Sequence, residues 1–291
     1  MPPREQPEQR LARMVRSSGT PHLLASEGTV VTDSAHRRAV LTAFRIALEL
    51  LTCLPPVARA RATPDRLVGS LLWFPVVGAL LGAALGLVEL GARAVTHNHP
   101  LACALVVALG LPATRGRPLR GLMSTGGALF GGRDPEGVAQ LAAHPQPTRF
   151  GLLMGMAALL LKYALLMALD GETRLAALVL ACGMSRAALV WVCWRFPYAN
   201  LDTGIGAWLT TLAGARDLVL VLPVMGAGFL LAGPLAVPAA IVGAWLPAHL
   251  LGVWVTRTIS GLSAQACEAA AEIGELGALA AIAALAWSGL A

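Results

Sequence analysis

The chain has 291 residues, of which 56% are hydrophobic and 13% charged, with a mean hydropathy of +0.68 and a formal net charge of +6. A soluble domain carries about 25% charged residues. This deficit, with apolar runs that are continuous rather than alternating, excludes an ordinary soluble domain and a transmembrane barrel and predicts an all-α, polytopic membrane bundle. The positive charge is carried by arginines in the segments between apolar runs, with Lys162 the only lysine. Orientation in a bilayer accounts for that pattern, and no nucleic-acid partner is expected.

Residues 1–36 are rich in Arg, Glu, Pro, Ser and Thr and hold no apolar core of signal-peptide length. They read as a disordered cytoplasmic tail, and residues 37–291 as a membrane domain. Ala39 to Leu54 is apolar but carries Arg45 and Glu49 and falls short of the ~20 residues of a span. It reads as an interfacial or re-entrant helix. About seven spans are then expected: Leu67–Gly91, Leu101–Ala113, Gly151–Leu169, Leu175–Trp194, Leu218–Ala232, Leu235–Val255 and Gly274–Leu290. In the first of these, Gly78 and Gly82 stand four apart, a spacing that lets a second helix approach closely.

Between the second and third spans lies a long polar interval, 114–150, read as a cytoplasmic loop at the water boundary, where chemistry belongs. Its carboxylates are Asp134 and Glu136. The loop arginines other than Arg93 and Arg174 fall on the side of this interval and of the N-terminus, which predicts that side to be cytoplasmic and the C-terminus to be outside. The cysteines are scattered, with no Cys-x-x-Cys pair, and read as small buried apolar residues.

Several short stretches resemble motifs of one family. They are Leu51-Thr52-Cys53-Leu54-Pro55; Trp73-Phe74-Pro75-Val76-Val77-Gly78 with Gly82; Lys162; Ser185-Arg186; Pro197-Tyr198-Ala199 with Gly204-Ile205-Gly206; and Ala270-Ala271-Glu272-Ile273-Gly274-Glu275-Leu276. In shared order from about Leu48 to Leu290, they resemble the cobalamin synthases, the adenosylcobinamide-GDP ribazoletransferases. The resemblance implies a membrane transferase that joins adenosylcobinamide-GDP to α-ribazole or its phosphate and releases GMP. It also implies Mg²⁺ as cofactor, held by carboxylates because charge develops on phosphoryl oxygens.

The family's signature, His-Leu-Asp-Gly-Leu-Ala-Asp-x-x-Asp-Gly with a later Glu and Asp, runs without a gap along Leu119 to Gly151. It pairs its three aspartates with Arg120, Ser124 and Gly127, its glutamate with Gln140 and its later aspartate with His144. Pro118 stands at the leading histidine. A further family aspartate near the C-terminus falls on Gln265, and Asn200 stands for an arginine. With these acids absent, the resemblance implies the fold and a catalytically impaired or non-catalytic member that binds a corrinoid or a phosphate ligand. Two alternatives stay open: an active transferase drawing on Glu49, Asp134, Glu136, Glu272 and Glu275, and a protein that serves a membrane partner or a structural role.

For ligand binding, Arg120, Arg149 and Arg133 have the chemistry to pair with phosphates directly. Lys162 and Arg186 lie within spans, where an ionised group needs a partner or a cavity; Glu49 or Glu275 is the expected partner. Glu272 and Glu275 share a helix face at the start of the last span. Either a ligand site or acids favoured by the positive end of a helix would explain them. Asp134-Pro135 reads as a turn or helix start, His144 as a solvated loop residue, and His97-Asn98-His99 as a polar turn. No set of metal ligands is assigned.

Overall fold

The computed structural model describes residues 33–54, 67, 69–131, 148–199 and 205–288. Most of the expected tail, and Arg133, Asp134, Glu136, Gln140 and His144, lie outside the described residues. The helices in chain order are α1 (Asp33–Leu51), α2 (Phe74–Thr96), α3 (His99–Ala113), α4 (Arg117–Gly131), α5 (Arg149–Ala168), α6 (Gly171–Arg195), α7 (Ile205–Leu212), α8 (Val221–Ala232), α9 (Ala236–Ile259) and α10 (Ala264–Trp287). Short 3₁₀ turns at Leu71–Trp73 and Ala215–Leu218 lead into α2 and α8. Among the described residues no strand forms, only an isolated bridge between Tyr198 and Leu262.

Six of these units are long and apolar enough to cross a membrane, and the 15-residue α3 is a shorter apolar helix. Together they occupy the segments expected as spans. The protein is a polytopic helical membrane protein, as its composition predicts.

Helix α6 is the axis of the bundle. Its residues from Ala176 to Val190 are all buried, and α2, α8, α9 and α10 pack around it. A helix apolar on every side can be satisfied only by such surroundings. The α2–α6 pair is closely packed. A Cβ at Gly82 would lie 2.2 Å from the Leu178 carbonyl oxygen, and one at Gly78 would lie 2.4 Å from that of Cys182. The two backbones touch where the spacing of these glycines predicts a close approach.

The polar interval differs from expectation. It is not a loop throughout: Arg117–Gly131 is helical, with Gly121 to Ala128 buried except for Met123 at intermediate exposure. Glycines that lower helix propensity here form a packing surface. A Cβ at Gly121 would meet the Cβ of Glu268 at 2.5 Å, so α4 lies directly on α10. A second difference concerns α10. It begins at Ala264, not Gly274, with the Ser263 hydroxyl accepting from the Ala266 N–H at 3.2 Å. Glu272 and Glu275 therefore stand inside the helix rather than at its start. Glu275 lies roughly 16 Å along the axis from Ala264, at about 1.5 Å per residue.

Arg174 is the third. Expected as a loop charge, it is 0% exposed and paired with Glu89 of α2. It also donates to the Leu169 carbonyl at 2.6 Å and contacts the His99 ring. This cluster ties α2, α3 and the end of α5 to α6. In the neighbouring turn, Asn98 caps α3 by accepting from the Leu101 N–H at 3.0 Å, and His97 takes a left-handed conformation (φ 52°). The His97-Asn98-His99 turn is thus used for capping and packing.

Candidate functional site

Three helices bring four ionised side chains together inside the bundle. Lys162 of α5 has its Nζ 2.6 Å from Glu272 Oε1 and 3.0 Å from Glu275 Oε1. Arg186 of α6 donates through Nη1 to Glu275 Oε2 at 2.7 Å and to the Ser185 hydroxyl at 2.8 Å. Both carboxylates and Arg186 are buried. Glu275 is thus the bridge, with one oxygen on each cation, and Glu272 completes a quartet of two positive and two negative groups. Such neutralisation allows ionised groups to persist at membrane depth. A cavity of about 30 Å³ reaches all four residues, close to the room that one or two waters need.

Arg186 also lines a second cavity of about 290 Å³. Its polar wall comprises Arg117 and Arg120 from the first turn of α4 and Glu268 from α10; Phe74, Leu189 and Leu209 supply apolar wall. Arg117 donates to the Leu50 carbonyl at 2.7 Å, and Cys53 N–H donates to the Ala113 carbonyl at 2.8 Å, so the end of α1 is sewn to the α3–α4 turn as one side of the cavity. Its size sits near the lower end of ligand sites. It has room for the phosphate-bearing part of a large ligand.

The remaining candidates fall elsewhere. Ser124 and Gln265 both line a smaller cavity with Thr125 and Ser263. Gly127 is buried, and a Cβ there would lie 2.2 Å from Thr148 Oγ1. Arg149 is exposed at the start of α5 and is not part of either larger cavity. Glu49 is half-buried on α1. Glu268 was not singled out in the sequence. The signal was available, because 268, 272 and 275 fall at i, i+4 and i+7 on one face of α10.

Mg²⁺, which the resemblance implies, needs several oxygen ligands at short range. Of the positions paired with the family's acids, the structure describes 120, 124, 127 and 265, which hold Arg, Ser, Gly and Gln. The two deep carboxylates already enclose the Lys162 ammonium, which stands where a cation between them would. Among the described residues no three His, Cys, Asp or Glu side chains cluster to hold a metal. The described residues do not fit Mg²⁺.

The family model described as cobalamin-5-phosphate synthase matches residues 43–283. The chain belongs to that family. Similar relatives include the adenosylcobinamide-GDP ribazoletransferase of Roseiflexus sp. (strain RS-1), 32% identical over 78% of this chain and 84% of the relative. That of Chlorobaculum parvum is 32% identical over 80% of this chain and 92% of the relative. The Pseudomonas aeruginosa enzyme of the same name is 31% identical over 74% and 88%. No solved structure matches the chain. The part of the chain matching the family model contains both cavities and the buried quartet.

Proposed function

We propose that this member of the cobalamin-5-phosphate synthase family binds a phosphate-bearing ligand, a corrinoid or a nucleotide-linked intermediate, without Mg²⁺, and that its transferase activity is impaired or lost. The observation that carries this reading is Arg120. It stands where the family pattern has an acid, and it lines the 290 Å³ cavity together with Arg117. Guanidinium groups bind phosphate oxygens by charge-assisted hydrogen bonds, with no bridging metal. On this reading the protein sits in the cell membrane with its N-terminus and the Arg117–Arg120 end facing the cytoplasm, as the loop arginines suggest.

Pyrophosphate is the simplest probe. The purified full-length protein in detergent binds it in the presence of a chelator, and Arg120→Asp weakens that binding about tenfold or more, because an attractive charge becomes a repulsive one. Binding that disappears with the chelator contradicts the reading. The identity of 32% to named ribazoletransferases over most of the chain favours a second reading, an active enzyme with carboxylates outside the family pattern. Mg²⁺-dependent turnover would establish it.

Orientation has its own test. Cys53 is the exposed cysteine among five, the other four being buried. A membrane-impermeant maleimide should label Cys53 only in opened cells, and His97→Cys, in a Cys53→Ser background, in intact ones. The opposite pattern inverts the topology.

A further inference from the structure

Two of the buried cysteines stand against each other. Cys193, in the last turn of α6, donates its thiol hydrogen to the Sγ of Cys267, in the first turn of α10, at 3.6 Å. The two are 74 apart in sequence, and neither has a part in the phosphate reading. The chain leaving α6 is hydrogen-bonded to the chain entering α10, which holds the pair in place. The Leu262 N–H donates to the Pro197 carbonyl at 2.7 Å, and the Ala199 N–H donates to the Leu262 carbonyl at 2.9 Å. Gly261 permits this crossing, since a Cβ there would lie 2.6 Å from the Ala199 nitrogen. Two backbone hydrogen bonds thus clamp the helix ends that carry the sulfurs. Both cysteines also line the 290 Å³ cavity, so a small solute reaches them without entering the packed core.

A disulfide needs its sulfurs about 2.05 Å apart. The closure required is roughly 1.5 Å, which side-chain rotation and a small shift of two helix ends supply. We propose that Cys193 and Cys267 form a reversible dithiol–disulfide modification site, with a peroxide as its oxidant. Cys267 reacts first, being 7% exposed against 1% for Cys193. Its sulfur attacks one oxygen of hydrogen peroxide, the O–O bond breaks, and a sulfenic acid and one water result. The Cys193 sulfur then attacks the Cys267 sulfur. The S–S bond forms, the S–O bond breaks, and the hydroxyl leaves with the Cys193 proton as a second water. Two thiols are oxidised to one disulfide while one peroxide is reduced to two waters. A low-molecular-weight thiol reverses the bond by exchange. With this end of the bundle facing the cytoplasm, as proposed above, the pair rests reduced and its oxidation is transient.

The test treats the purified, reduced full-length protein, folded in mild detergent, with hydrogen peroxide. Remaining thiols are blocked with a maleimide, and the protein is digested without reductant and read by mass spectrometry. A Cys193–Cys267 cross-linked peptide pair, lighter by two hydrogens than its parts, is the expected product, and dithiothreitol should abolish it. The oxidised protein should also unfold about 5 °C or more higher, because the new bond closes a long loop. In Cys193→Ser the reaction should stop at a sulfenic acid on Cys267, trapped by dimedone. In Cys267→Ser, Cys193 should stay a thiol. The unsubstituted protein carries the main result, so it does not depend on either variant folding. Cross-links confined to Cys53, Cys103 or Cys182 would overturn the proposal. So would oxidation of Cys267 to a sulfinic acid with no cross-link, or a pair that peroxide leaves as thiols.

Discussion

Gly82→Val is expected to abolish the folded bundle. A Cβ at Gly82 would stand 2.2 Å from the Leu178 carbonyl oxygen, 2.6 Å from its carbon and 2.9 Å from the Val179 Cα. These are backbone atoms of α6, which has no free side to retreat toward, since neighbouring helices cover its whole circumference. A valine adds two further carbons to that contact. In a bilayer the association of helices rests on close packing rather than on apolar burial alone, so separating α2 from α6 removes a main interface of the bundle axis. The cost should exceed the usual 1–3 kcal/mol of overpacking, at about 4 kcal/mol or more. Gly91→Val, on the same helix, is the control: a Cβ there meets nothing within 4 Å. Size-exclusion profiles in mild detergent should show aggregate for Gly82→Val and a single folded peak for Gly91→Val. A folded Gly82→Val protein would mean that α2 and α6 are farther apart than described.

The second large effect lies in the buried quartet. Lys162→Met removes the ammonium 2.6 Å from Glu272 and 3.0 Å from Glu275. Glu275 keeps Arg186, but Glu272 is left as a buried carboxylate without its cation. Removing one partner of a buried pair costs about 3–5 kcal/mol, whereas replacing both with apolar groups of similar volume is often neutral. Lys162→Met should therefore lower the unfolding midpoint sharply, and Lys162→Met with Glu272→Leu should recover most of the loss, leaving the Arg186–Glu275 pair intact. Additive losses in the double variant would show that Glu272 has another partner, and that Lys162 is not its counter-charge.

Much of the architecture is legible in the sequence because the bilayer imposes it. Long apolar runs must be helices there, and the spacing of Gly78 and Gly82 announces the α2–α6 contact. The pairing of Arg186 with Glu275 is legible for a similar reason, since an ionised group at membrane depth needs an opposite charge. The α4 helix is not, because glycine at 121, 126 and 127 reads locally as loop. Only the neighbouring α10 backbone at Gly121, and the Met154 and Thr148 side chains at Gly126 and Gly127, turn that composition into a packing surface. Nor is the pairing of Glu89 with Arg174, which are distant in sequence and meet only once α2 and α6 lie antiparallel. The quartet is half-visible: the cations are conspicuous, while the carboxylates read equally as a ligand site or a helix start until α10 is seen to begin at Ala264.

These differences bear on the site. As a loop, the stretch from Arg117 would leave Arg120 free to act as a surface charge. As the first turn of a helix, it places Arg117 and the exposed Arg120 on the wall of the cavity that Glu268 also lines. A single restored acid at position 120 would face no second carboxylate ligand among the aligned positions described. An acid at 127 would displace Thr148, whose hydroxyl accepts from the Gly151 N–H at 3.0 Å and caps α5.

Complementation tests the central claim most directly. The full chain, expressed with confirmed membrane insertion in a bacterium lacking its own cobalamin synthase and supplied with cobinamide, is expected not to restore cobalamin-dependent growth. Membranes from those cells should still bind pyrophosphate in the presence of a chelator. Restored growth, with cobalamin formed in a Mg²⁺-dependent reaction, would contradict the claim and make this chain an active transferase.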